Sequence, residues 1–524
     1  MNILFASAEV APYAKVGGLG DVAGALPSAL RRLGHDVRVV MPYYHVAKIP
    51  PESIQVLVTP FNVYLGNTTG YGRLLQTSLP DETPLYLLDF PKVFDREPLH
   101  DQHNGLYGYE DDTARFIIFS RGVMALAHHL HSVEGWNPDV LHANDWHTGL
   151  VPNYLKFNDA QGLADTISVY TIHNLAYQGK TEMLPALRLS ELGYNTEEAY
   201  NLPHDQFNFM LRGIVYADIV TTVSPEYATE ITTPEYGEGL EDVLSQCQEE
   251  HKLYGILNGI DTRLYDPSTD PQLIGGGYAN YSLHNLDGKA HCKAALQAEC
   301  KLEVNPDRPL LAMVTRLVKQ KGIEALIATL PALLRLAEDA QIVILGSDED
   351  LRYQAALRYV ESQYRDQFHL FIGFFPELAQ HIYAGCDMII VPSLFEPCGL
   401  IQMIAMRYGS VPIVRKTGGL ADTVREGENG FVFGEPIKAN WLKRREGLEQ
   451  AKPEVQDFVF GTYTNDHLLE AILRALRVYH EHPEEWKRIQ QQGMQEDHSW
   501  DVAAQPYLNL YAEARKRQGL DARL

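Results

Sequence analysis

The sequence predicts an α/β protein built on two doubly wound parallel sheets. Short apolar strands alternate with amphipathic helical stretches twice along the chain, and the strands of each half end in polar or glycine-rich tails. Length agrees, because 524 residues exceed one core at roughly 100–200 residues per domain.

The opening strand is Asn2–Ala8, and Lys15-Val16-Gly17-Gly18-Leu19-Gly20-Asp21 links it to a helix predicted from near Val22. Glycine lets backbone N–H groups approach a ligand without a Cβ in the way, and the helix start behind them favours negative charge. Such a turn suits a dinucleotide enzyme, a sugar-nucleotide enzyme or a plain packing turn. His35–Pro42 reads as a second buried strand stopped by proline, and residues 50–90 as a small antiparallel insertion.

A helix is predicted from Asp112 to His131, then strands at Asp139–His142, Ser168–Ile172 and Asp218–Val223. Their tails carry His142-Ala143-Asn144-Asp145-Trp146-His147, Thr171-Ile172-His173-Asn174 and Ser224-Pro225-Glu226. Ligands of open parallel sheets lie beyond the carboxyl ends of the strands, so these tails are expected to face one crevice. Leu257–Asp261 reads as a turn and residues 262–305 as irregular. Strands return at Pro309–Thr315, Gln341–Leu345, His369–Ile372, Met388–Pro392 and Val411–Val414, and an amphipathic helix at Asp501–Gln518 ends the pattern.

A net charge of −24 argues against nucleic acid or an anionic membrane as partner, since both need clustered Lys and Arg. No apolar run reaches the roughly 18 residues of a membrane span. The odd count of five cysteines, with no CxxC pair, reads as reduced thiols in a cytosol-like compartment and suggests no zinc site. A strand directly after Met1 leaves no room there for a targeting segment. His128, His129 and His131 face different ways on a helix and read as a solvated face.

Arg316 and Lys321 lie between a strand and a helix, where guanidinium and ammonium suit a diphosphate. Glu396, in Ser393-Leu394-Phe395-Glu396-Pro397-Cys398-Gly399-Leu400, is placed to accept sugar hydroxyls or to answer positive charge at a reacting carbon; a capping role is the plainer alternative. Lys416-Thr417-Gly418-Gly419-Leu420-Ala421-Asp422 forms another glycine turn before a helix. Three anion seats with polar tails between them point to a phosphorylated or diphosphate donor, with Asp145 and His173 as crevice residues.

Taken together, these motifs resemble the bacterial glycogen synthases and plant starch synthases. The resemblance runs from Ile3–Val10 through Lys15–Val22, His142–Gly149, Thr171–Gly179, Asn258–Asp261, Thr315–Gly322, Phe395–Leu400 and Thr417–Val424 to His498-Ser499-Trp500. It implies a GT-B fold, two Rossmann-like domains facing each other across a deep cleft. Residues 1–257 would be the acceptor side, 258–496 the nucleotide-sugar side, and 497–524 a helix crossing back.

It further implies retaining transfer of glucose from ADP-glucose to the 4-hydroxyl of an α-1,4-glucan (glycogen, starch or malto-oligosaccharide), releasing ADP, with no metal or cofactor, in the cytoplasm or, after removal of a transit peptide, the plastid stroma. Front-face departure of ADP is the expected mechanism. Glu396, His173, Lys15, Arg316 and Lys321 take the catalytic positions. Lys15, Gly18, Asp21, Asp145, Asn174, Asn258, Arg316, Lys321, Phe374, Cys398, Gly399, Leu400, Gly418 and Gly419 fall on the donor path, and Tyr109, Lys15 and His173 on the acceptor path.

Some positions depart from the bacterial pattern. Val16 and Ile401 look more like plant-type members, Phe374 replaces a frequent tyrosine, and Ile404 leaves Glu396 as the sole carboxylate of its motif. The alternatives are a UDP-glucose-using enzyme of the same fold and a non-catalytic glucan-binding protein. A nicotinamide-dependent oxidoreductase fits poorly, because the first turn lacks GxGxxG and the second strand ends in Met41-Pro42-Tyr43-Tyr44 without an acidic ribose ligand.

Overall fold

The computed structural model describes residues 1–65, 68–97, 105–157, 162–181, 207–347, 350–434 and 453–521. They form two compact units: Met1–Gly259 with Trp500–Leu524, and Ile260–Ser499. Each is built on one large sheet.

Along the first unit run β1 (Asn2–Ala6), β2 (Asp36–Pro42), β3 (Gln55–Leu65), β4 (Thr68–Ser78), β5 (Pro84–Asp89), β6 (Val140–Asn144), β7 (Ile167–Ile172), β8 (Lys180–Thr181), β9 (Phe207–Asn208), β10 (Ile219–Thr222) and β11 (Leu253–Gly255). Nine of them make the sheet, in the order β11-β10-β7-β6-β1-β2-β5-β4-β3, while β8 and β9 pair separately. From β11 to β5 all pairs are parallel. Ile3, Leu4, Phe5, Val140, Leu141, Ile167 and Val169 are fully buried, which is why these strands read as continuous apolar runs without alternation.

Residues 50–90 are no separate insertion. β3 and β4 pair antiparallel, β4 pairs antiparallel with β5, and β5 joins β2 in parallel through Val39 and Leu85, so the hairpin extends the main sheet to its edge. Pro60 sits in the edge strand, the place where a missing N–H is tolerated.

The first helix also differs from expectation. It spans Gly18–Arg32, with extended Gly17 as its cap, so Gly18 to Asp21 are its first turn.

The second unit carries β12 (Leu310–Thr315), β13 (Gln341–Gly346), β14 (Phe368–Ile372), β15 (Met388–Val391), β16 (Val411–Arg415) and β17 (Phe431–Phe433). They form one parallel sheet in the order β14-β13-β12-β15-β16-β17.

Residues 262–305 contain a helix, Asp287–Glu299, where sequence reading finds only irregular chain. Its apolar pattern is masked because two lysines lie on the buried face. Lys289 Nζ donates to the carbonyls of Ala384, Cys386 and Tyr408 and to Ser410 Oγ at 2.9 to 3.1 Å, and Lys293 Nζ pairs with Asp387 at 2.8 Å.

The terminal helix Trp500–Arg517 belongs to the first unit. Tyr511 Oη and His142 Nδ1 are 2.7 Å apart, and buried Arg515 donates to the carbonyls of Asp139 and Asp165. No helix among the described residues is long and apolar enough to cross a membrane.

Both sheets have a point where strand order reverses, between β1 and β6 in the first and between β12 and β15 in the second. The crevice beyond the strand ends at such a point is the general ligand position of doubly wound sheets. The tails leaving these four strands carry Lys15, Asp145, Arg316 and Glu396.

Candidate active site

In the first unit the tail of β1 places Glu9, whose buried carboxylate organises the glycine turn. Oε2 accepts the N–H groups of Val16 and Gly17 at 2.6 and 3.0 Å, and Oε1 accepts the Tyr107 hydroxyl at 2.8 Å. The turn therefore differs from the open phosphate seat read from sequence, since two of its N–H groups already serve an internal anion. Its outward parts are Lys15, whose Nζ lies 2.6 Å from Asp21 Oδ1 near the surface, and Gly17 and Gly18, where an added Cβ meets no atom within 4 Å.

Asp145, on the tail of β6, takes φ 57° and ψ 177°, a backbone region that costs a non-glycine residue about 1–3 kcal/mol. The conformation turns its carboxylate onto the tail of β7, where Oδ1 accepts the His173 N–H at 2.8 Å. Burial pushes its pKa up to about 7; the His173 and Asn174 N–H groups oppose the rise and the Glu9 charge adds to it. Burial also pushes His173 down to about 3, so its ring is neutral at ordinary pH. Asn144 Nδ2 donates to the Ala6 carbonyl, which turns Asn144 Oδ1 toward the ring to accept His173 Nε2–H at 3.0 Å.

The other expected residues of this unit sit as follows. Asn174 Oδ1 closes a local turn on the Ala176 N–H. Asn258 is buried and its Oδ1 has no hydrogen-bond partner among the described residues. Tyr109 is buried, donates to the carbonyls of Glu97 and Gly105, and lies under the Arg115 guanidinium at 4.4 Å. His128, His129 and His131 form no metal-binding group with other described residues.

In the second unit the chain leaves β12 through exposed Arg316 and a short turn, Lys319–Lys321, that ends at Gly322. Gly322 has φ +70°, and a Cβ there would stand 1.9 Å from the Pro392 carbonyl oxygen. Only glycine lets this turn press on the end of β15. The Leu394 N–H donates to the Gln320 carbonyl at 2.8 Å, and Lys321 Nζ reaches Glu396 Oε2 at 2.6 Å.

Ser393 Oγ donates to the same Glu396 oxygen at 2.9 Å. Lys321, expected at the diphosphate, is thus bonded to Glu396, expected at the sugar. Both side chains are mostly buried, at 16 and 11% exposure.

The second glycine turn packs directly on the Glu396 loop. Gly419 N–H donates to the Glu396 carbonyl at 3.1 Å, and a Cβ at Gly418 or Gly419 would stand 2.1 Å from the carbonyl oxygen of Glu396 or 2.2 Å from that of Cys398. Its glycines serve close approach, and the Gly419 N–H, assigned to an anion from sequence, is used inside the protein. Cys398 is buried, Gly399 is left-handed at φ +75°, and Leu400 caps the helix Ile401–Arg407. Phe374, beyond β14, is 87% exposed and offers a ring face to solvent.

Residues 2–246 match the family model described as starch synthase catalytic domain, and residues 297–452 match glycosyl transferases group 1. A glycogen synthase from Moorella thermoacetica is 42% identical over 526 residues, covering 99% of this chain and 98% of that protein. Another, from Syntrophotalea carbinolica, is also 42% identical, covering 98% and 99%.

This chain belongs to the glycogen synthase family. The catalytic domain of starch synthase IV from Arabidopsis thaliana, solved with ADP and acarbose, matches with a TM-score of 0.79 at 32% identity, covering 98% of this chain and 99% of that one. Sucrose-phosphate synthase from Thermosynechococcus elongatus, at 17% identity and TM-score 0.55, shares the fold. The expected GT-B class and the glycosyltransferase assignment are borne out.

In this member of the glycogen synthase family three side chains, Glu9, Ser393 and Asn144, take places that the sequence alone does not assign. Glu9 and Ser393 sit on strand tails, and the rule that singled out Asp145 and Glu396 applies to them equally. Asn144 is a member of the same tail as Asp145, but its role shows only once the His173 ring faces it.

Proposed function

We propose that the protein is an ADP-glucose:α-1,4-glucan 4-α-D-glucosyltransferase that retains configuration at C1. The observation that carries this reading is the Glu396 carboxylate at the switch point of the second sheet. One of its oxygens is held by Lys321 and Ser393, which fixes the carboxylate group. A carboxylate fixed in this way accepts sugar hydroxyls and stabilises positive charge developing at C1.

The bond from C1 to the diphosphate oxygen breaks with both electrons going to ADP, and the glucan O4 bonds to C1 on the same face. The O4 proton passes to the departing diphosphate. In the second unit Arg316 meets the diphosphate charge, with Lys321 shared between it and Glu396, and in the first unit Lys15 is the cation for phosphate. Cys398 and Gly399 N–H groups hold glucose hydroxyls, and the Phe374 ring stacks on adenine, with Leu400, Gly418 and Asn258 along the donor path. Asp145, Asn174 and the His173 carbonyl complete the sugar side, with Tyr109 supporting the acceptor side.

ADP as product is supported by the ADP and acarbose found with the Arabidopsis enzyme. Nucleotide release measured from ADP-glucose and UDP-glucose, each with glycogen, tests the reading. Release of ADP in clear excess, with α-linked product by proton NMR, is expected. Preferred UDP release overturns the donor assignment, a β-linked product overturns retention, and no release from either donor leaves a glucan-binding protein.

A further inference from the structure

The Lys15 turn is ordered from within the protein. Two of its N–H groups converge on one oxygen of Glu9, the arrangement a bound anion satisfies when successive backbone N–H groups form a concave nest. Glu9 is itself fixed. Its N–H bonds Ser7 Oγ, Ser7 Oγ donates to the Glu9 carbonyl at 2.6 Å, and its second carboxylate oxygen takes the Tyr107 hydroxyl.

Tyr107 is in turn held between rings, stacked on His147 at 4.5 Å and tilted against Phe116 at 5.9 Å. Among the described residues no lysine or arginine pairs with this buried carboxylate, and the hydrogen bonds from the turn and from Tyr107 satisfy it.

We propose that Glu9 is a positioning residue for Lys15: its carboxylate stands in for an anion and holds the glycine turn in its ligand-ready form before any donor arrives. Without it, the Val16 and Gly17 N–H groups turn to water or to the donor phosphates, and the turn, with Lys15 on it, must order during binding. The cost then falls on transition-state contacts made through Lys15. This inference rests on the reading of Lys15 as a diphosphate ligand.

Two measurements on the full-length chain test it. The first needs no turnover. Amide exchange at Val16 and Gly17 is expected to accelerate in Glu9→Ala while Glu9→Gln, which keeps an acceptor oxygen, stays near wild type. Unchanged exchange in Glu9→Ala overturns the proposal.

The second is a double-mutant cycle with Lys15→Ala, read as kcat and KM for ADP-glucose. Glu9→Ala alone is expected to lower kcat/KM on the order of 10- to 100-fold. On top of Lys15→Ala it is expected to cost less than about 3-fold, because the two act as one unit. Full multiplication of the two losses, or a Lys15→Ala variant of wild-type activity, overturns the proposal. Should Glu9→Ala fold poorly, Glu9→Gln decides: near-wild-type kcat/KM supports the acceptor role, and a loss as large as that of Lys15→Ala overturns it. Absence of ADP release by the wild-type chain overturns the functional reading instead, and the exchange result then decides this one.

Discussion

Three buried groups in and just beyond the neighbouring strands β6 and β7 pull stability in opposite directions with pH. Asp145 keeps its proton in the folded chain up to about pH 7, whereas the unfolded carboxyl loses it near 3.8. The folded chain holds more protons between these values, so this contribution to stability falls as pH rises through the window, by roughly 4 kcal/mol in total. His173 and His142 act in reverse. Burial pushes both to about 3 from 6.5, so the unfolded chain binds more protons in that window and stability is lost as pH falls through it. Asp145→Asn keeps an oxygen for the His173 N–H and removes only the first effect. The urea midpoint of the variant relative to wild type is therefore expected to rise from about pH 5 to about pH 8, by roughly 2.5 kcal/mol once converted. A constant difference would show that Asp145 is ionised throughout. In the second unit Glu396→Ala is expected to reduce kcat on the order of 100-fold or more with far-UV circular dichroism unchanged. Wild-type turnover in that variant would remove Glu396 from the reaction.

At the scale of elements, what the sequence makes legible is what a period or a strand tail encodes. The strands around β1, β6, β12 and β15 are apolar on both faces, so they stand out, and the polar tails after them hold Asp145, Arg316 and Glu396. What stays hidden is what depends on partners distant in sequence. The helix Asp287–Glu299 buries lysines whose acceptors lie about 100 residues on, and the inward turn of the Val16 and Gly17 N–H groups depends on a glutamate reading cannot aim. The pairing of Lys321 with Glu396 is hidden for the same reason, since it depends on how closely two loops approach. Gly322 sets that approach. Gly322→Ala forces a left-handed backbone on a Cβ that would overlap the Pro392 carbonyl, so the turn must lift from the end of β15. A loss of about 2–4 kcal/mol in stability is expected, with kcat reduced through the displaced Lys321–Glu396 pair. Equal stability and turnover in wild type and variant would show that the loops meet without the glycine.

At the scale of the whole molecule, chain order and unit order do not coincide. The chain leaves the first unit at Gly259 and re-enters it at Trp500. At the two ends of the second unit the Ile260 N–H donates to the His498 carbonyl at 2.8 Å. The final helix is a structural part of the first unit. Trp500, Tyr507, Leu508, Leu510 and Tyr511 are buried, and Arg515 ties the helix to the strand starts through Asp139 and Asp165. Five large apolar side chains at about 1.5–3 kcal/mol each amount to on the order of 10 kcal/mol, comparable to the whole stability of an ordinary domain. Removing the helix also exposes the His142 ring, which keeps the Thr171 hydroxyl and the Phe5 ring as partners. A chain ending at Ser499 is therefore expected to lose the cooperative unfolding transition of the first unit in calorimetry. The transition of the second unit should persist, because Ile260–Ser499 remains whole. Retention of both transitions within about 5 °C of the full-length values would show that the nine-stranded sheet closes its core without the helix.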